Sequence, residues 1–156
     1  MWSPRLQDLV RKSGKMRNLS SPSPAPVVLF AEDNLYDREA VSHYLRHEGW
    51  TVIPVETGDA ILEEAALLRP PVIVVDIDLP GFDGWRALHG LRDIPDYHPR
   101  VVALSAFGFL EVEAERQGLG CTGFFAKPVN PRTIASFVGL PPEPVWGDAP
   151  NPFFVL

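Results

Sequence analysis

Four polar clusters in this chain each stand directly after a run of apolar residues, and their types suit charge and metal chemistry. Glu32-Asp33 comes after Val27-Val28-Leu29-Phe30, and Asp76 follows Val72-Ile73-Val74-Val75. Ser105 follows Val101-Val102-Ala103-Leu104, and Lys127 follows Gly123-Phe124-Phe125-Ala126. A carboxylate is costly to bury without a partner, so Asp76 requires a cation, hydrogen-bond donors or both. Three carboxylates in one crevice repel, since two unit charges about 4 Å apart interact by roughly 4 kcal/mol at an effective dielectric of 20. Either one of them holds a proton or a cation sits among them. Lys127 supplies one positive charge. An all-oxygen site also suits Mg²⁺, which takes one or two carboxylates and completes its shell with phosphate and water.

The elements that would bring these residues together are legible in the apolar pattern. Val72 to Asp76 is a short β-branched run closed by Pro80-Gly81, and it reads as a strand buried on both faces. Runs of the same kind cover 27–30 and 101–105, and Thr51 to Val55 and Gly123 to Ala126 form further strands. Between them, helical spacing is expected from about Leu35 to His47, with Gly49 as a stop, and from Gly58 to Leu68, closed by Pro70-Pro71. A short helix follows Gly84 through Trp85, Leu88 and Leu91, and another covers about 109–117 with Glu111, Glu113 and Glu115. Pro131 suits the first turn of a last helix through Ile134, Phe137 and Val138. Strands and helices that alternate in this way predict right-handed crossovers and a parallel α/β sheet, doubly wound with helices on both faces. Parallel strands point one way, so all four polar clusters open at one sheet edge, where ligands of open α/β sheets collect.

The 156 residues suit one domain with a full core, and a single cysteine, Cys121, excludes an intramolecular disulfide and fits a reducing compartment. No apolar run is long enough to span a bilayer, and no apolar segment follows the basic N-terminal residues, so a cytoplasmic protein is expected. The net charge of −6 is unevenly spread. Residues 1–26 carry five basic side chains against Asp8, a balance of +4 that leaves −10 on the rest. So acidic a body argues against nucleic-acid binding by the core. Residues 1–26 read as a basic leader, with 1–17 able to form a short helix, ending in the Ser/Pro linker Ser20 to Pro26. The folded unit is expected over 27–139. Residues 140–156 form a Pro-rich tail around Trp146 with the apolar end Phe153-Phe154-Val155-Leu156, expected to dock on its own domain, a second copy or a partner. His43, His47, His89 and His98 have no ligand spacing and read as surface or packing residues.

As a set, in order and separation, Glu32-Asp33, Asp76-Ile77-Asp78-Leu79-Pro80-Gly81-Phe82-Asp83-Gly84, Ser105-Ala106 and Lys127-Pro128 resemble the receiver domain of bacterial two-component response regulators. The resemblance covers about residues 27–138. It implies a flavodoxin-like, five-stranded parallel sheet of order 2-1-3-4-5. It implies further that Asp76 accepts a phosphoryl group from a histidine kinase or a histidine phosphotransfer protein. Asp33 would bind Mg²⁺ directly and Glu32 mostly through water, with Asp76 and the backbone carbonyl of Asp78 completing the protein ligands. Lys127 would pair with Asp76 and then with a phosphoryl oxygen. Ser105 would swing to bond another, and Phe124 would follow as a switch aromatic. The chemistry is consistent with these roles: phosphoryl transfer needs placement and charge neutralisation, a carboxylate nucleophile forms an acyl phosphate, and the new dianion needs a donor. Ala106, being small, leaves room for it.

Two features depart from the usual pattern. Asp78 adds negative charge at the mouth, and Phe107 and Phe109 give the region after Ser105 an apolar surface suited to a partner. With a tail in place of an effector module, the chain is expected to be a stand-alone receiver, not an enzyme, whose output is protein–protein interaction. A non-phosphorylated pseudo-receiver acting as a binding module is the alternative, but its signature is a missing acid or lysine, and all are present. Asp76-Ile77-Asp78 also looks like the Asp-x-Asp of haloacid-dehalogenase-type phosphatases. In that family the motif comes first and the extra acids last, whereas Glu32-Asp33 here precede it.

Overall fold

The structure, a computed structural model, describes residues 26–80, 84–108 and 118–140. The expected helices over 1–17 and 109–117, the loop residues Gly81-Phe82-Asp83, Phe109 and the apolar C-terminal stretch lie outside these residues. Among the described residues the order is β1 (Val27–Ala31), α1 (Leu35–Glu48), β2 (Thr51–Val55), α2 (Gly58–Leu68), β3 (Val72–Asp76), α3 (Gly84–Arg92), β4 (Arg100–Ser105), β5 (Gly123–Ala126) and α4 (Pro131–Val138). The five strands pair in parallel in the order β2-β1-β3-β4-β5, the order implied by the resemblance.

Period-2 alternation in strands covered on both faces explains the two cores. Val28, Phe30, Val74, Val102 and Leu104 face α1 and α4, meeting Val41, Leu45, Ile134 and Val138. Leu29, Ile53, Ile73, Val75 and Ala103 face α2 and α3, meeting Ile61, Ala65, Leu88 and Leu91. Each Val, Leu, Ile or Phe among them contributes about 1.5–3 kcal/mol when fully buried, so packing on the sheet, more than intrinsic propensity, holds helices this short. Pro54 is exposed within β2, which lies at the sheet edge and tolerates a residue without an amide donor.

Local chemistry sets the element ends. Asn34 caps α1, its side chain accepting from the N–H groups of Tyr36 and Asp37 at 2.9 and 3.2 Å, so the helix starts directly behind Glu32-Asp33. Gly49, at φ 107°, closes that helix in the left-handed region. The end of α2 falls at Arg69, also left-handed at φ 44°, one residue before the expected prolines. The Arg69 guanidinium donates to the carbonyls of Pro95 and Asp96 and lies 5.7 Å from the Tyr97 ring centre. In α4, Pro131 occupies the first turn behind the Asn130 cap. Phe137 of that helix is turned outward, edge-on to Phe125 at 5.2 Å.

Candidate functional site

Parallel pairing places Glu32 just beyond β1, Asp76 at the end of β3, Ser105 at the end of β4 and Lys127 just beyond β5. The Lys127 N–H donates to the Ser105 carbonyl at 2.7 Å, which locks the last two of these ends together. The Lys127–Pro128 peptide is cis.

Lys127 Nζ donates to Asp76 Oδ2 and to Glu32 Oε2, each at 2.8 Å. The other oxygens are also held: Asp76 Oδ1 accepts the N–H of Asp78 at 2.8 Å, and Glu32 Oε1 that of Asn34 at 3.0 Å. Glu32 and Asp76 are 1% and 2% exposed, so one ammonium serves two buried carboxylates. Burial pushes the Glu32 pKa up, and the Asp76 charge adds to this, outweighing its bonds to Lys127 and Asn34. Burial works against the charge of Lys127, yet its bonds to Asp76 and Glu32 prevail and hold its pKa above the ordinary lysine value.

Asp33 is exposed, and ligand atoms of Glu32, Asp33 and Asp76 lie within 4.8 Å of one another. Three carboxylates against one ammonium form an oxygen-only, electronegative group, which fits a hard divalent cation such as Mg²⁺.

Ser105 is joined to this group through Asp78. Its Oγ lies 3.3 and 3.1 Å from Asp78 Oδ1 and Oδ2, and Asp78 Oδ2 also accepts the N–H of Ala106 at 2.7 Å. Phe124 stands apart from the acids, three residues before Lys127, partly buried against the core on the α2–α3 face. The four histidines are exposed, and none joins the acidic group.

Two contributors were not legible in the sequence. Arg38, buried on α1, donates to the carbonyls of Glu32 at 2.9 Å and Asp33 at 3.4 Å, and pairs with Glu56 at 2.9 Å. It holds the acidic loop by its backbone, and one arginine on a helix gives no sign of that. Gly84 reads as turn chemistry, but its role is close approach: a Cβ there would lie 2.5 Å from Ile77 Cα and 2.9 Å from the Asp76 carbonyl oxygen. Beside Lys127 a cavity of about 310 Å³ opens between α1 and the β5–α4 connection, lined by Glu32, Asp37, Val41, Ala106 and Ile134 among others.

A doubly wound sheet with three carboxylates, a lysine and a serine at its strand ends defines a flavodoxin-like signalling fold with an acidic pocket. Residues 28–138 match the family model of the response regulator receiver domain, and the chain belongs to that family, whose setting is two-component signalling. It is 32% identical over 118 residues to the polar-differentiation response regulator DivK of Brucella anthropi, covering 72% of this chain and 95% of the relative. It is 29% identical over 103 residues to the sporulation initiation phosphotransferase F of Bacillus subtilis, covering 66% and 82%. The chemotaxis response regulator CheY4 of Vibrio cholerae superposes with a TM-score of 0.65 at 28% identity, covering 72% of this chain and 94% of that one.

Proposed function

We propose that this receiver accepts a phosphoryl group on Asp76, in a Mg²⁺-dependent reaction, from a histidine kinase or histidine phosphotransfer protein, and signals by binding a protein target. The observation that carries the reading is Asp76 itself: a carboxylate 2% exposed at a strand end, bonded to Lys127 and facing two further acids. An Asp76 oxygen forms a bond to phosphorus as the bond from phosphorus to the donor's nitrogen or oxygen breaks. The electron pair leaves with the donor and takes up a proton there. Asp76 needs no base, because its carboxylate is already a nucleophile, and the product is an acyl phosphate. Lys127 is placed to neutralise charge on the transferring group, and Asp78 N–H fixes the carboxylate plane. Glu32, Asp33, Asp76 and the Asp78 carbonyl would hold Mg²⁺, which supplies charge neutralisation and orientation of the phosphoryl oxygens when bound. Ser105 and Phe124 are assigned the switch roles.

The cavity beside Lys127 supports docking of the donor on the α1 side. Residues 27–139 are the proposed receiver unit, with 1–26 and 140–156 modulating contacts to partners or to a second copy. Truncation to 26–139 tests that part: unchanged size and partner binding would make the flanks passive. The main test is intact mass after incubation with Mg²⁺ and acetyl phosphate. One phosphoryl adduct, lost with chelator, is expected; a folded chain that takes up none contradicts the reading.

A further inference from the structure

The carboxylate of Asp78 does more than add charge at the mouth. Ser105 is fully buried, and its Oγ accepts the N–H of Phe107 at 3.0 Å. A serine hydroxyl has one proton to donate, and Asp78 is the acceptor it meets. The Ala106 N–H, at 2.7 Å, is committed to the same carboxylate. Leu104 is the β4 partner of Asp76, so Ser105 and Ala106 follow at the strand end directly beside it, while Lys127 bonds Asp76 Oδ2 and the Asp78 backbone bonds Oδ1. A group attached to Asp76 and the Asp78 carboxylate would therefore compete for the same two donors.

Building on the reading of Asp76 as phosphoacceptor, we infer that the Asp78 carboxylate occupies the phosphoryl-oxygen position at Ser105 and Ala106 and thereby slows phosphorylation of Asp76. Two anions cannot share one hydroxyl proton, so phosphorylation must evict Asp78, which is exposed and leaves into water. Asp78 is thus a rate-setting residue that acts through Ser105, not a catalytic one.

The test is the initial rate of phosphoryl adduct formation with acetyl phosphate and Mg²⁺, followed by intact mass. It compares the wild-type chain with Asp78→Ala, Asp78→Asn, Ser105→Ala and the Asp78→Ala/Ser105→Ala pair. Asp78→Ala should react roughly tenfold faster, because a charge-assisted contact no longer has to be broken. Asp78→Asn, whose amide oxygen still accepts from Ser105, should fall between, and it serves as the readout should Asp78→Ala fail to fold. In the Ser105→Ala background, where Asp78 still holds the Ala106 N–H, the gain should shrink to about threefold. An equal gain with and without the Ser105 hydroxyl would reduce Asp78 to a through-space charge and overturn the inference, as would an Asp78→Ala rate at or below wild type. Such results leave Asp76 as phosphoacceptor, whereas no adduct on any folded variant overturns that reading and the inference together.

Discussion

Lys127 Nζ lies 2.8 Å from Asp76 Oδ2, a contact between residues 51 apart in sequence that joins the ends of β5 and β3. The same ammonium reaches Glu32 at 2.8 Å, so the strand ends of β1, β3 and β5 share one positive charge. The contact compensates two buried acids, and in the proposed transfer the same ammonium would stand beside the phosphoryl group.

Replacing Lys127 by Met leaves the buried Glu32 and Asp76 without their cation. The expected loss is about 2 kcal/mol in urea unfolding, below the cost of breaking a fully buried pair because the lysine is partly exposed. Adding Glu32→Gln should recover at least half of it. A change within about 0.5 kcal/mol would make the pair energetically idle.

The raised pKa of Glu32 sets a pH dependence. Its folded value lies above the ordinary 4.5, so its contribution to stability is full below 4.5 and is lost as pH rises through the raised value. Lys127 shifts in the same direction at the alkaline end: its contribution is full below 10.5 and is lost only above its raised folded value. At the proposed site protons would compete with Mg²⁺ for Glu32, so calorimetry should find weaker Mg²⁺ binding at about pH 5 than at about pH 7.5, with a smaller difference in Glu32→Gln. Equal affinity at both values would place the ion elsewhere.

Arg38→Ala removes two bonds to the backbone of the acidic loop and the pair with Glu56. Destabilisation of about 2 kcal/mol and several-fold weaker Mg²⁺ binding are expected. Arg38→Lys should recover only part, since an ammonium lacks the planar fork that reaches both carbonyl and carboxylate. Full recovery by lysine would reduce the role to charge.

Gly84→Ala puts a methyl group against backbone at Ile77 and Asp76, where nothing can swing aside. A loss of about 2 kcal/mol or more and slower uptake of phosphoryl groups should follow from displacing the end of β3. Wild-type stability would mean that α3 can slide without cost.

The β-branched runs made the sheet legible, because strands buried on both faces must be apolar throughout, and parallel pairing then forces Glu32, Asp76, Ser105 and Lys127 to one edge. What stayed hidden depended on side-chain direction. Asp78 reads as one more negative charge, and only the geometry turns its carboxylate onto Ser105 and Ala106. Arg38 lies on a helix whose pattern names an apolar face but not a guanidinium threaded under a loop. Phe137 shares the apolar spacing of Ile134 and Val138 yet is turned outward onto Phe125 at the β5 edge. Periodicity reports which residues share a helix face, not how far the sheet extends beneath them.

The most direct test of Asp76 as phosphoacceptor is to locate the adduct. After reaction with acetyl phosphate and Mg²⁺, borohydride reduces an aspartyl phosphate to homoserine, and peptide mass mapping then identifies the residue. Homoserine at Asp76, absent from Asp76→Asn and from chelator-treated samples, is the predicted result. Homoserine at Asp33 or Asp78 with Asp76 intact, or none in a folded chain, would contradict it.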